Sequence, residues 1–365
     1  MALKTCTVGI HKKCVELHSG DFRLAITTQV GPRVIGAFIG KKSTFNHFAV
    51  LPPEPMECSA NGFTLYGGHR LWHSPEACPR TYEPDNDPVQ VTATEYGVLF
   101  STEPCKATGI QKEMLIEPLG DAGLFCVTHT ITNTGMWAIK LAPWTLAQMA
   151  TGGTCVVPMG TPVDESEADP FAPDRTLNFW PYTNLQDKRL KIGKDLITVA
   201  HDAKVEGALK LGVNNTCRWV AYVNNGQAII KYFDVYDAEY PDNGCISECY
   251  TCKTFTEMEL LGPLETLEPG ESTEFVEYWQ AVDGLPKNLK SEKDFKDALL
   301  PHLIPEMLEE QDECGCGCGC EDDFEDGDEC DCGCHDHHDH EEKAEEVVVA
   351  EAQPAAKKGG RSKKK

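Results

Sequence analysis

The chain predicts an all-β fold, a sandwich or barrel built from many short strands. Three observations carry that prediction. β-branched and aromatic runs recur from residue 23 to residue 282, Gly, Pro, Asn and Asp punctuate them, and helical periodicity is nearly absent before residue 290. At 365 residues and 41% hydrophobic content, the chain is long enough to bury a large core.

Residues 23–39 read as two short strands across the Gly31-Pro32 turn. Further strand runs fall at 88–101, 109–118, 123–133, 137–149, 195–201, 207–213, 217–223, 227–236, 245–261 and 273–282. Asn225-Gly226, set between Trp219–Val223 and Ala228–Tyr232, is the strongest hairpin signal. Residues 159–190 are poor in apolar pattern and rich in Pro, Asp and Asn, which predicts a lid or binding loop or else a disordered segment, with Phe179, Trp180 and Tyr182 favouring a segment that packs. A helix is expected within 288–310, capped by Ser291, with Phe295, Leu299 and Leu300 at helical spacing and Pro301 and Pro305 breaking it. The domain plan is therefore a β-sandwich over 1–287, a helical extension over 288–312, an acidic Cys/His-rich tail over 313–342, and a linker with a Lys-rich end over 343–365, with everything from 313 onward expected to be disordered.

The formal charge is −25, and residues 313–342 hold thirteen acidic and no basic side chains. The remaining acidic body repels nucleic acid and anionic membrane surfaces, so neither is expected as a partner. No run of eighteen apolar residues exists, and the first residues lack an apolar core of signal-peptide length. A cytoplasmic location with reduced thiols is expected, and Cys245, Cys249 and Cys252 read as packing residues.

Chemistry-bearing groups concentrate in Gly67-Gly68-His69-Arg70-Leu71-Trp72-His73-Ser74-Pro75-Glu76. The glycine pair permits close backbone approach, and Pro75 pushes Ser74 out of helical angles, so the segment reads as a strand end or loop at the rim of the scaffold. As a strand it would put His69, Leu71 and His73 on one face. A second cluster is Phe255-Thr256-Glu257-Met258-Glu259, where strand geometry puts Glu257 and Glu259 side by side. Neighbouring carboxylates raise one another's pKa, which suits a general base, although a solvated strand face would carry the same pair. Trp72, Trp144, Trp180 and Tyr82 could form an aromatic floor for a pyranose, or be sandwich core, the reading favoured for Trp144 and Trp279. His129, alone in its strand, reads as a satisfied core histidine.

These pieces together resemble the galactose mutarotase-like superfamily, which includes the aldose 1-epimerases, with the specific likeness to a branch of unassigned activity. The matching pieces, over roughly residues 10–285, are Gly31–Ile35, Gly67–Glu76 with Thr81–Asn86, Ala142–Met149 before Gly152-Gly153, and Glu257-Met258-Glu259 before Leu267-Glu268-Pro269-Gly270-Glu271. The resemblance implies a large antiparallel β-supersandwich with a sugar-sized cleft on a concave face. It implies that a late glutamate takes the anomeric proton and a histidine protonates the ring oxygen, with no cofactor. Carried over, Glu257 matches the base, with Glu259 as its alternative, and Arg70 matches a sugar-binding arginine. His69 and His73 become candidate acids or hydroxyl binders, and Trp72, Glu76, Tyr82 and Gln148 are expected sugar contacts. Gln148 stands where the family carries its proton-donating histidine, and an amide cannot act as that acid. Either His69 or His73 takes the role, or the site binds sugar without epimerising it.

The tail carries a separate signal. Cys314, Cys316, Cys318 and Cys320 alternate with glycine, Cys330, Cys332 and Cys334 repeat the pattern, and His335, His337, His338 and His340 follow. Thiolates and imidazoles at such spacing suit Zn, Ni or Cu ions, in the manner of metallothionein-like or metallochaperone segments. A chain whose purpose is metal storage or delivery, with the body as scaffold, is the reading from a different class.

Overall fold

The structure, a computed structural model, describes residues 3–54, 62–159 and 171–309. The Cys/His-rich tail and Lys-rich end lie outside the described residues, as does the acidic start of the 159–190 excursion. The described residues fall within one unit, Met1–Glu310.

Two antiparallel sheets stack face to face. In the first the strand order is Thr5–Val8, His11–Ser19, Phe22–Ile26, Val34–Ile39, Gly68–Ser74, Ile139–Met149, Thr256–Leu261, Ser247–Thr251, Leu209–Val213 and Leu177–Phe179, with Glu265–Leu267 pairing beside Ile139–Met149. The second runs Leu190–Ile192, Leu196–Ala200, Thr154–Pro158, Trp219–Asn224, Gln227–Phe233, Ser272–Val282, Leu124–Asn133, Ile110–Pro118, Val98–Ser101 and Gln90–Ala93. Alternate residues of both sheets point into the space between them. Leu24, Phe48, Ala147 and Met258 from the first meet Phe100, Phe125, Ile229 and Trp279 from the second in one core. The Asn225-Gly226 turn forms as expected, joining Trp219–Asn224 to Gln227–Phe233, with Asn225 at φ 54° and Gly226 at φ 75°.

The expected helix is Glu292–Leu299. Ser291 Oγ accepts from Asp294 N at 3.2 Å while Asp294 Oδ2 accepts from Ser291 N at 2.9 Å. Phe295, Ala298 and Leu299 pack on the outer face of the second sheet, against Trp219, Ile230 and Tyr232. Glu292 also accepts from the backbone N–H groups of Asp195 (2.5 Å) and Leu196 (2.8 Å), tying the helix start to that sheet.

The Gly67–Glu76 expectation needs correction. Gly68–Ser74 is no rim loop but an interior strand with all seven residues buried, lying between Val34–Ile39 and Ile139–Met149. The glycine pair lets a neighbouring chain press onto the strand's start. A Cβ on Gly67 would lie 2.0 Å from Ala49 O, and one on Gly68 2.3 Å from Val34 O, with φ of +92° and +71°. Turn-like composition here marks backbone crowding, not exposure.

Between the sheets lies a fully buried polar chain. His129 Nδ1 donates to Phe275 O at 3.0 Å, which leaves His129 Nε2 to accept from His69 Nε2 at 2.7 Å. His69 Nδ1 then accepts from Lys231 Nζ at 3.2 Å, and Lys231 pairs with Glu277 Oε2 at 2.7 Å. Trp279 Nε1 donates to the same carboxylate at 2.5 Å, and Thr145 donates to its other oxygen. Both imidazoles are neutral in this arrangement, and burial pushes both pKa values down. His69, His129 and Glu277 are metal-ligand types grouped within 4.8 Å, but their ligand atoms are already engaged by one another and by Lys231.

Candidate functional site

The cleft lies on the outer face of the first sheet, and strand register builds its floor. One row across four strands reads Gly68, Gln148, Glu257, Tyr250, and continues to Lys210. The next row reads Arg70, Leu146, Glu259, Glu248, and a third places Trp72 opposite Trp144. Residues that share this parity share a face. The resulting hollow of about 210 Å³ is lined by Arg70, Trp72 and Trp144 on one side and by Lys210, Glu257 and Glu259 on the other. Glu76 and Tyr82 close one end, where the Tyr82 hydroxyl donates to the Glu76 carboxylate.

Arg70 is 1% exposed and lies over Trp72, its guanidinium carbon 4.2 Å from the ring centroid. Its Nη2 sits 3.7 Å from Glu257 Oε1, while Nε and Nη1 have no hydrogen-bond partner. Burial, with Arg33 nearby, lowers its pKa to about 10. Glu257 is pushed up to about 7, first by burial and then by Glu259, with Arg70 and Lys210 opposing. It can therefore exchange a proton near neutrality.

A second charged group stands beside it. Lys210 Nζ is 2.8 Å from Glu259 Oε2 and 2.7 Å from Glu248 Oε2, and Trp144 Nε1 donates to Glu259 Oε2 at 3.0 Å. Lys210 also lies between two indoles, 4.7 Å from Trp144 and 4.6 Å from Trp180. Two carboxylates hold the lysine charged against its burial, and burial together with Glu259 drives Glu248 upward. Lys210, Glu248, Tyr182 and Tyr250 were not among the sequence candidates. Lysine in the otherwise apolar strand Leu209–Val213 was the available signal, because a buried lysine demands a paired carboxylate.

The structure thus joins Arg70, Trp72, Glu76, Tyr82, Glu257 and Glu259 in one hollow, with Gln148, fully buried, across from Glu257. Trp144, read as core, is buried yet forms a cleft wall. His69 and His73 do not join the cleft. They follow the opposite parity of their strand, so His69 enters the buried chain with His129 and Lys231, and His73 lines a separate cavity. Among the described residues no histidine lines the cleft. His129 is the satisfied core residue its sequence position predicts.

No protein-family model matches the chain, and no curated protein does. Solved structures do. The chain is similar to a TPR-domain containing protein from Parabacteroides distasonis, at 15% identity and a TM-score of 0.51 over 76% of this chain. It covers 48% of that protein, about half its length. It is also similar to a candidate aldose 1-epimerase from Escherichia coli (13% identity, TM-score 0.45, 73% of this chain and 97% of that one). A galactose mutarotase-like protein from Lactobacillus casei gives 11% identity and a TM-score of 0.46, over 73% and 99% of the two chains. Galactose mutarotase-like and aldose 1-epimerase proteins recur among the structural neighbours. At these identities the likeness concerns the fold, a two-sheet antiparallel β-sandwich; the site has to be read from this chain's own residues.

Proposed function

We propose that the body binds a free monosaccharide in the Arg70–Glu257 cleft and interconverts its anomers, with Glu257 as the base. One observation carries the reading: buried hydrogen-bonding atoms without partners gather at this floor. They are Arg70 Nε and Nη1 and Glu259 Oε1, with the buried Gln148 amide beside them directed at Glu257. Buried polar atoms are nearly always paired, so a set left open around one hollow implies a ligand that pairs them. Donors, acceptors and an amide beside indole faces suit a ring of hydroxyls with an apolar C–H side. Little uncompensated positive charge is present, since Arg70 faces Glu257 and Lys210 faces two carboxylates, so a neutral sugar fits better than a phosphorylated one.

In this reading Glu257 takes the proton of the anomeric hydroxyl, the C1–O5 bond breaks, and the ring oxygen takes up a proton. The carbonyl then turns over and the ring recloses with proton traffic reversed, so no atom is gained or lost. The proton-bearing groups facing the cleft are the phenols of Tyr182 and Tyr250, which burial pushes upward, and the Lys210 ammonium, which two carboxylates hold charged, so each is a weak donor for the second proton. A second reading, recognition without turnover, is favoured by the lack of a cleft-lining histidine among the described residues.

The test is anomer exchange followed by NMR or polarimetry over a panel of aldoses, comparing the native chain with Glu257→Gln. Exchange lost in the variant while sugar binding persists supports the epimerase reading. Binding with no exchange in the native chain selects the recognition module, and an absence of both rejects the sugar cleft. For the tail we propose soft or divalent metal binding through Cys314–Cys320, Cys330–Cys334 and His335–His340, on residue chemistry alone. Removing residues 313–365 should abolish metal uptake and leave sugar binding as it was. Loss of sugar binding would instead make the tail part of the main activity.

A further inference from the structure

His73, displaced from the sugar cleft by strand parity, lines a second cavity of about 350 Å³ at one end of the sandwich. The cavity lies between the sheets: Ile139 and Leu141 come from the first and Ile110 from the second. These three extend a small apolar cluster with Leu71, Ile131 and Leu267, so the inner wall is aliphatic. The remaining wall is polar and mostly cationic, with Arg80 and Lys140 against a single acidic residue, Glu83.

Two features mark it as more than a packing defect. His73 is 2% exposed, and neither of its ring nitrogens has a hydrogen-bond partner. An imidazole buried this far without a partner is unusual. Arg80 Nε is likewise without one, although Arg80 Nη2 is bound to Pro75 O. Nearby, the Lys112 ammonium of the second sheet acts on His73 and has no ion-pair partner among the described residues. Lys140 is engaged by Glu239, whose side chain is 67% exposed. Among the lining side chains Arg80 and Lys140 stand against Glu83 alone, with Glu239 answering Lys140 from outside the lining and Asp85 answering Lys112.

We propose that this cavity is a second ligand site, taking a small organic anion: a short aliphatic chain ending in a carboxylate. The aliphatic wall of Ile110, Ile139 and Leu141 takes the chain, and His73 and Arg80 supply hydrogen bonds to the carboxylate, with Lys112 adding favourable charge. The volume is near the lower end of small-molecule pockets, which suits a ligand of a few carbons. This site is separate from the sugar cleft: the two share no lining residue, and His73 and Arg70 point to opposite faces of one strand.

The test is calorimetric titration of the full chain with hexanoate, acetate and hexanol, repeated with Ala107→Trp and Glu257→Gln. Ala107 is exposed at the cavity wall, so its substitution fills the mouth without disturbing the core. Saturable hexanoate binding is expected, with acetate and hexanol each weaker by about tenfold or more, the loss of roughly one charged hydrogen bond or a few buried methylenes. Ala107→Trp should abolish the binding and Glu257→Gln should keep it. Hexanoate should also move the His73 ring resonances, a readout that does not depend on a variant at His73 folding. Absence of hexanoate binding at millimolar concentration overturns the proposal. Equal binding of all three probes, or binding unchanged by Ala107→Trp, overturns it as well.

Discussion

Arg70 and Glu257 sit on strands that do not touch, yet their side chains meet at 3.7 Å across the strand Ile139–Met149 that separates them. Both lie on the outer face of the sheet, on the parity they share with Leu146 and Gln148 of the middle strand. A separation of 187 positions in sequence collapses to one ion pair because both parent strands pair with the same middle strand.

The first prediction concerns pH. Glu257 titrates at about 7 in the folded chain against 4.5 for an ordinary glutamate. Between those values the native state holds the proton more than the unfolded state does, so stability falls as pH rises from about 4.5 to 7. The loss is on the order of 3 kcal/mol. Urea melts across this range should show the decline in the native chain and a flatter profile in Glu257→Gln. Identical profiles would mean that the carboxyl is not perturbed.

Arg70→Met should weaken sugar binding by about ten- to a hundredfold, as expected for losing hydrogen bonds from a charged donor. Titration followed by NMR measures it. Affinity equal to that of the native chain would place the ligand elsewhere.

The interlayer pair makes a sharper claim about stability. Lys231→Met alone leaves Glu277 buried without its cation and should cost about 3–5 kcal/mol. Adding Glu277→Leu removes the stranded charge, so the double variant should regain much of that loss. Denaturant midpoints of the two variants decide it, and a double variant less stable than the single one would contradict the account.

Gly68→Ala should destabilise the fold by about 2 kcal/mol or more, since the new Cβ meets Val34 O at 2.3 Å in a backbone conformation that disfavours side chains. Thermal melting reads this directly. Gly270→Ala, also at positive φ but with open space around it, should cost less.

Much of this architecture is legible in the sequence. β-Branched and aromatic runs bounded by Gly and Pro place the long strands, Asn225-Gly226 places its hairpin, and Ser291 places the helix start. Period-two spacing also puts Glu257 and Glu259 on one face, as found. The same rule separates Arg70 from His69 and His73, and that consequence decides which of them can meet a ligand. What local pattern cannot supply is depth. Gly67–Glu76 has the composition of a rim loop but occupies the sheet interior, because crowding by Ala49 and Val34 requires glycine there as surely as a turn does. Lys210 and Glu248 come together only through pairing across strands far apart in the chain. Only the apolar setting of Lys210 in Leu209–Val213 hints at burial; Ser247–Thr251 gives no such sign for Glu248.

The body's final residues constrain where the chain can be shortened. Tyr232 Oη accepts from Ile304 N at 3.2 Å, Gln280 Nε2 donates to His302 O at 3.1 Å, and Arg218 Nη1 donates to Glu309 O at 2.8 Å. These contacts clip the last stretch against the sandwich's outer wall like a seam allowance. A cut at 287, where strand pattern stops, would strip the cover from Trp219 and Ile230 and invite aggregation that could be mistaken for loss of a metal-binding role. Severing the polypeptide beyond 309 avoids that confusion and lets the cysteine-rich appendage be judged by itself.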